Sequence, residues 1–167
     1  MNTSTAPDAE KLYAQLRSAV AAALTPQTCL LGIHSGGAWI AQRLEQDLQL
    51  AGRVGSISSS MYRDDYAKRG LAESKPTAIP FGIDGAHIII VDDVLHTGRT
   101  IRAVLNELFD HGRPSKVELM VLVDRGERQL PFASNFAAAQ AAFAPNIALH
   151  LSKNANGNLQ FTLQEKG

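Results

Sequence analysis

Residues 88–100 read Ile88-Ile89-Ile90-Val91-Asp92-Asp93-Val94-Leu95-His96-Thr97-Gly98-Arg99-Thr100. A β-branched run of strand type ends in two adjacent carboxylates, and a short polar turn follows. Apolar residues then recur at Ile101, Val104, Leu105 and Leu108, the spacing of a helix with one apolar face. A strand that turns sharply into a helix presents the first amides of that helix, which carry partial positive charge and bind anions. Thr97 and Thr100 add hydroxyl donors, and Gly98 lets a phosphate approach the backbone closely. Asp92 and Asp93 would repel a phosphate set directly against them. They suit a neighbouring pair of sugar hydroxyls or a hydrated magnesium ion. A phosphate flanked by a diol is a ribose phosphate. Two other readings compete. Asp92 and Thr100 are also residue types that cap helices. A nucleotide-binding strand of the Walker B kind ends in acids too, but it requires a G-x-x-x-x-G-K-[ST] loop, and the sequence has none.

Working outward, Asp8 is placed to cap a helix running to about Leu24, with Leu12, Leu16 and Val20 on one face. Residues 28–34 form a short apolar strand, 34–37 a turn, and Ile40, Leu44 and Leu48 mark a second helix that Gly52 ends. Residues 54–62 give a weaker strand. Residues 63–78 are polar and aperiodic, a long loop of the kind that is usually functional or disordered. The strand of 87–91 leads into a loop over 92–100, and Gly112 with Pro114 stops the helix after it. Residues 116–123 are another strand. Residues 133–144 are alanine-rich and carry no clear periodicity. Apolar runs at 147–151 and 159–163 flank Asn156-Gly157, a hairpin signal.

Strands alternating with helices predict an α/β fold: a mostly parallel central sheet flanked by helices, with a small C-terminal β-hairpin, in a single domain over residues 1–167. Ligands of such sheets bind beyond the carboxyl ends of the strands. The loops at 34–37, 63–78, 92–100 and 124–128 all follow strands and are expected to meet at one edge.

Composition narrows the function. The 167 residues carry 16 Lys+Arg and 16 Asp+Glu, which argues against binding nucleic acid by bulk charge. Cys29 is the only cysteine, so no intrachain disulfide forms, and a reducing, cytoplasmic setting is expected, with a buried inert thiol. Residues 1–10 lack the basic and apolar regions of a signal peptide. The run at 88–91 is too short to span a membrane. Five histidines, at 34, 87, 96, 111 and 150, show no zinc-ligand spacing. His34-Ser35-Gly36-Gly37 has no accompanying G-x-S-x-G elbow and so does not read as a hydrolase turn. Trp39 is expected to pack within its helix.

The segment 91–100 resembles the phosphoribosyl pyrophosphate (PRPP) motif of type I phosphoribosyltransferases: apolar strand, two acids, three residues, then T-G-x-T. Tyr62-Arg63-Asp64-Asp65, Ile79-Pro80-Phe81-Gly82-Ile83-Asp84-Gly85 and Val121-Leu122-Val123-Asp124-Arg125-Gly126-Glu127-Arg128-Gln129-Leu130-Pro131 extend the likeness to PyrR. That family comprises pyrimidine-operon regulators that are also uracil phosphoribosyltransferases. The resemblance covers roughly residues 28–132. It implies the type I phosphoribosyltransferase fold, with the C-terminal hairpin as its hood. It also implies magnesium, PRPP, uracil and UMP as ligands, an mRNA leader as a regulatory partner, and a homodimer or larger homo-oligomer.

By position, the resemblance implies that Asp92, Asp93 and Arg63 are the catalytic group, with the acids on the ribose hydroxyls and in reach of magnesium. Val94, Leu95, His96, Thr97, Gly98, Arg99 and Thr100 would bind PRPP, the last four around its 5′-phosphate. Ser35, Gly36 and Gly37 would hold the pyrophosphate, and Tyr62 and Arg63 would begin a loop closing over it. Asp124 and Arg125 would face the base. On spacing alone, apart from the resemblance, Arg99, Arg102, Arg113, Arg125 and Arg128 could form a basic face for RNA.

Two departures bear on specificity. Where the family reads G-I-x-T-R-G, this chain has Gly32-Ile33-His34-Ser35-Gly36-Gly37, which keeps the main-chain amides and drops a cation. Residues 133–140 replace a polar segment ending in G-K-N. The alternatives these departures leave are a nucleotide-sensing RNA-binding attenuator with little catalysis, or a phosphoribosyltransferase for another base.

Overall fold

The structure is a computed structural model and describes residues 4–59 and 75–167. Helix α1 (Ala9–Ala23) precedes strand β1 (Thr28–Ile33), helix α2 (Gly36–Asp47) and strand β2 (Val54–Ile57). Strand β3 (His87–Leu95), helix α3 (Arg99–His111), strand β4 (Lys116–Asp124) and strand β5 (Phe136–Gln140) follow, and strands β6 (Ile147–Lys153) and β7 (Leu159–Glu165) end the order.

Five strands form one sheet in the order β2-β1-β3-β4-β5, and every neighbouring pair is parallel. The sheet grows outward from β1 to β2 on one side and from β3 through β5 on the other. Its order therefore reverses between β1 and β3, and a crevice opens there at the carboxyl ends of the strands. The turns after β1 and β3 are the ones that flank it.

Both faces of the sheet are covered, which is why β1 is buried at every position and reads as a continuous apolar run. On one face Leu12, Leu16 and Val20 of α1 and Ile40 and Leu44 of α2 pack on Leu30, Ile89, Val91 and Leu122. On the other, Ile101, Val104 and Leu108 of α3 pack on Leu31, Ile33, Ile88, Ile90 and Val121. The Asp8 carboxylate caps α1 by accepting from the amides of Glu10 (3.1 Å) and Lys11 (3.2 Å).

Strands β6 and β7 form a separate antiparallel pair. Leu149, Leu151 and Phe161 of this hairpin join the core on the α1 side. Gly157, at φ +79°, supplies the left-handed residue of its turn. The Glu10 carboxylate accepts from the Leu159 amide at 2.7 Å and from Arg43 Nη1 at 2.8 Å, which ties the hairpin to both α1 and α2.

The structure corrects several element boundaries and gives the alanine-rich segment its conformation. Strand β3 continues to Leu95, so Asp92 and Asp93 stand within the strand and not in the loop after it. The reason is pairing: Asp92, Val94 and Leu95 stay in register with Val121, Val123 and Asp124 of β4. The second helix ends at Asp47, with Leu48 as its cap. The alanine-rich segment contains a strand, β5, paired with β4 from Met120↔Phe136 to Asp124↔Gln140. The strand expected over 54–62 is present as β2 only to Ile57; residues 60–62 lie outside the described residues.

Candidate functional site

Two turns and the end of β4 meet at the carboxyl edge of the sheet. The first turn, 34–37, joins β1 to α2. The His34 amide donates to the Ile57 carbonyl at 3.1 Å, holding the turn to β2, and the His34–Ser35 peptide is cis. Ser35 precedes the helix without a side-chain cap bond. Gly37 packs so closely on β3 that a Cβ there would collide with the Val91 carbonyl oxygen and lie 3.1 Å from the Asp92 Cα. The start of α2 thus rests directly on the strand that carries the acid pair.

Gly36 faces Asp93. A Cβ on Gly36 would lie 2.5 Å from Asp93 Oδ2 and 2.8 Å from its Cγ. The other oxygen of that carboxylate accepts from the Val94 amide at 2.8 Å, and Asp92 Oδ1 accepts from the Asp93 amide at 2.9 Å. Both side chains are fixed by their own backbone at the rim of the crevice.

The second turn, 96–98, leads into α3. Gly98 takes φ +92°, a conformation that favours glycine, and Thr97 Oγ1 accepts from the Arg99 amide at 3.2 Å. The segment after β4 supports this turn from behind. The Thr97 carbonyl accepts from the amides of Gln129 (2.9 Å) and Leu130 (3.1 Å). Arg128 donates to the carbonyls of His96 (2.7 Å) and Phe132 (2.8 Å) and to the Asp124 carboxylate (2.6 Å). His96 pairs with Glu127 at 2.8 Å. A cavity of about 160 Å³ beside the turn is lined by Asp92, His96, Thr97, Gly98 and Thr100 among others.

At the end of β4 Arg125 is 5% exposed. Its Nη1 donates to the Ile147 carbonyl at 3.0 Å, and its guanidinium lies 5.5 Å from the centre of the Phe143 ring. Nε and Nη2 are buried and have no hydrogen-bond partner. A buried guanidinium with two idle donors is costly. It lines a cavity of about 320 Å³ with Asp124, Gly126, Arg128, Gln140 and Ala141. Burial tends to raise the Asp124 carboxyl. The Arg128 hydrogen bond, the Gly126 amide and the Arg128 charge outweigh it and hold that group below the ordinary aspartate value. His34 moves down: burial lowers it most, a hydrogen bond to the Pro76 backbone works against that, and the Lys75 charge adds to the lowering.

The structure therefore brings Ser35, Gly36 and Gly37 against Asp92 and Asp93, and sets Val94 and Leu95 through Thr100 beside them. Asp124 and Arg125 line the next cavity along the edge. Tyr62, Arg63, Lys68 and Arg69 lie outside the described residues. Of the residues expected to make a basic face, Arg125 is buried, and Arg128 is partly exposed with its guanidinium engaged by internal acceptors. Sequence reasoning missed Arg128 as the support of the 96–98 turn, although the V-D-R-G-x-R-x-L-P run contains it. It also missed Gln140, which β5 delivers to the Arg125 cavity. Among the described residues no group of three or more His, Cys, Asp and Glu side chains is arranged to hold a metal ion. The Asp92–Asp93 pair offers hard oxygen donors, which suit a magnesium ion that takes its remaining ligands from water and substrate phosphates. Among those residues, too, no helix is long and apolar enough to cross a membrane.

Comparison with known proteins agrees with this geometry. The family described as phosphoribosyl transferase domain matches residues 5–137. The chain is 51% identical over 160 residues to the bifunctional protein PyrR of Ralstonia nicotianae, covering 93% of this chain and 91% of that one. It is 44% identical over 123 residues to the bifunctional protein PyrR of Pseudomonas syringae pv. tomato, covering 73% and 72%. In fold it matches a hypoxanthine-guanine phosphoribosyltransferase of Bacillus anthracis with a TM-score of 0.62 at 17% identity, over 85% of this chain and 84% of that one.

Proposed function

The chain belongs to the phosphoribosyl transferase family, in its PyrR branch, and from that premise we propose that it forms UMP and pyrophosphate from uracil and PRPP and that it also regulates pyrimidine genes through RNA. One observation carries the catalytic reading. The acid pair, the 96–100 turn and the glycine turn at 35–37 converge on the crevice where the strand order reverses.

In the reaction the bond from ribose C1 to pyrophosphate breaks, positive charge develops on the sugar, and a ring nitrogen of uracil forms the new bond. The chain contributes position and electrostatics. The amides and hydroxyls of Thr97 to Thr100 hold the 5′-phosphate, and the turn at 35–37 offers its amides to the pyrophosphate. Asp92 and Asp93 receive the ribose hydroxyls and stand near the growing positive charge. Asp92 and Asp93 would hold a magnesium ion arriving with PRPP, and that ion would supply positive charge against the leaving pyrophosphate. Arg125 and Gln140 face the base through the adjoining cavity. The buried cysteine and the balanced charge support a cytoplasmic setting.

The test is UMP formation from uracil and PRPP with magnesium, run beside Asp92→Asn/Asp93→Asn. Product from the wild type and none from the variant supports the reading and places the site. Absence of product from the wild type, with UMP still bound, supports the second reading: a nucleotide-sensing regulator with little turnover. The observation that favours the second is Gly36, where the family carries a cation. A panel of purine and pyrimidine bases tests the third, a different base.

A further inference from the structure

The contact between Gly36 and Asp93 has a consequence for ligand entry. The turn at 35–37 opens a 12-residue helix, and its amides are where the proposed function puts the pyrophosphate. In the structure an anion already lies against that turn. Asp93 Oδ2 sits so near Gly36 that a methyl group in place of the glycine hydrogen would be 2.5 Å from it, with Cγ at 2.8 Å and Cβ at 3.2 Å. The whole side chain, not one stray oxygen, packs on the turn. Its second oxygen is held by the Val94 amide, so the side chain is steadied where it lies. A residue with a Cβ at 36 excludes this arrangement, because the carboxylate and the Cβ need the same space.

We propose that Asp93 is an internal stand-in for pyrophosphate: in the ligand-free chain its carboxylate covers the 35–37 turn, and it must swing off Gly36 before the pyrophosphate of PRPP can seat. This rests on the proposed phosphoribosyltransferase reading and adds a step to it. The carboxylate that leaves the turn is the one that then accepts from the ribose hydroxyls, so arrival of the sugar and clearing of the turn are one motion. Inorganic pyrophosphate, which has no ribose, cannot repay Asp93 for moving and binds the resting chain poorly. Gly36 acts as a positioning residue, and the absence of a side chain there is what makes room for the stand-in.

The experiment titrates magnesium pyrophosphate, without ribose, into wild type, Asp93→Ala and Asp92→Ala by calorimetry, with the fluorescence of Trp39 confirming a folded chain. Asp93→Ala should bind pyrophosphate at least about 5-fold more tightly than wild type, the effect of removing a competitor worth about 1 kcal/mol. Asp92→Ala, which removes an equal charge next door, should change affinity less than 2-fold. Asp93→Asn gives the same comparison with the shape retained and serves if the alanine variant does not fold. Equal gains in the Asp92 and Asp93 variants would mean simple charge repulsion and would overturn the proposal, as would no gain in either Asp93 variant. UMP formation by the wild type separates the two failures: turnover without a gain sinks the stand-in alone. No turnover and no pyrophosphate binding by any variant sinks both.

Discussion

Arg128 Nη2 donates to the Asp124 carboxylate across 2.6 Å, joining the end of β4 to the segment that supports the 96–98 turn. The same guanidinium holds the His96 and Phe132 carbonyls. One side chain thus fixes the 96–98 turn relative to the end of β4 and the cavity beside Arg125.

Replacing Arg128 by methionine should cost about 2 kcal/mol of stability, since it strips a partly buried carboxylate and two carbonyls of their donor. The KM for PRPP should rise more than kcat falls, because the turn loses its support while the acid pair stays. A pH signature accompanies this. Asp124 titrates below the ordinary aspartate value in the folded chain. Its contribution is complete above about pH 4, the unfolded value, and is lost as pH falls through the lower folded value. Acid titrations followed by circular dichroism should show this loss in the wild type and not in the variant.

The two glycines at the start of α2 should respond differently to alanine. At Gly37 the new methyl meets the backbone of Val91 and Asp92, which cannot rotate away, and overpacking of this kind costs about 1–3 kcal/mol. At Gly36 it meets the Asp93 side chain from Oδ2 to Cβ, which, unlike backbone, can turn aside. Thermal melts should place Gly37→Ala well below wild type and Gly36→Ala near it.

Arg125 is expected to matter for the base more than for PRPP. Arg125→Met keeps much of the packing against Phe143 and removes the two idle donors. Steady-state kinetics should show uracil KM raised by about 10-fold or more, the scale of one lost charged hydrogen bond, with PRPP KM changed far less. An equal rise in both would place Arg125 elsewhere in the site.

His34 should make the chain less stable in mild acid. Burial pushes its imidazole below the usual histidine value, so between the folded and unfolded values the unfolded chain binds more protons. Stability is full above about pH 6.5, the ordinary histidine value, and declines as pH falls from there through the lower folded value. His34→Gln should flatten the melting temperature against pH over that window.

Much of this fold is legible in the sequence, and for identifiable reasons. The switch from the β-branched run at 88–91 to helical spacing at 101–108 marks a strand entering a helix, and the acids between them mark the site. The length of β3 was less visible, because aspartates disfavour strands and only the partner strand, through Asp92↔Val121 and Leu95↔Asp124, keeps the chain extended. Strand β5 was not legible. Alanines lack the bulk that favours a pleated surface, and Phe136 to Gln140 become a strand by pairing with β4. Nor does sequence show the burial of Arg125, which depends on Phe143 and Ile147 folding over it. The contact of Gly36 with Asp93 joins the start of α2 to strand β3, which only the sheet order brings together.

The Glu10 carboxylate, shared between the Arg43 guanidinium and the Leu159 amide, spans 149 residues of chain. During synthesis α1 and α2 leave the ribosome long before β7 does, so Glu10 can hold Arg43 early and must wait for its second partner. The hood is therefore the last piece to lock, and the cavity beside Arg125, whose guanidinium grips the first residue of β6, takes its final shape only then. A nascent chain halted before Leu159 would carry the 96–98 turn and the acid pair already in place beneath an unfinished roof.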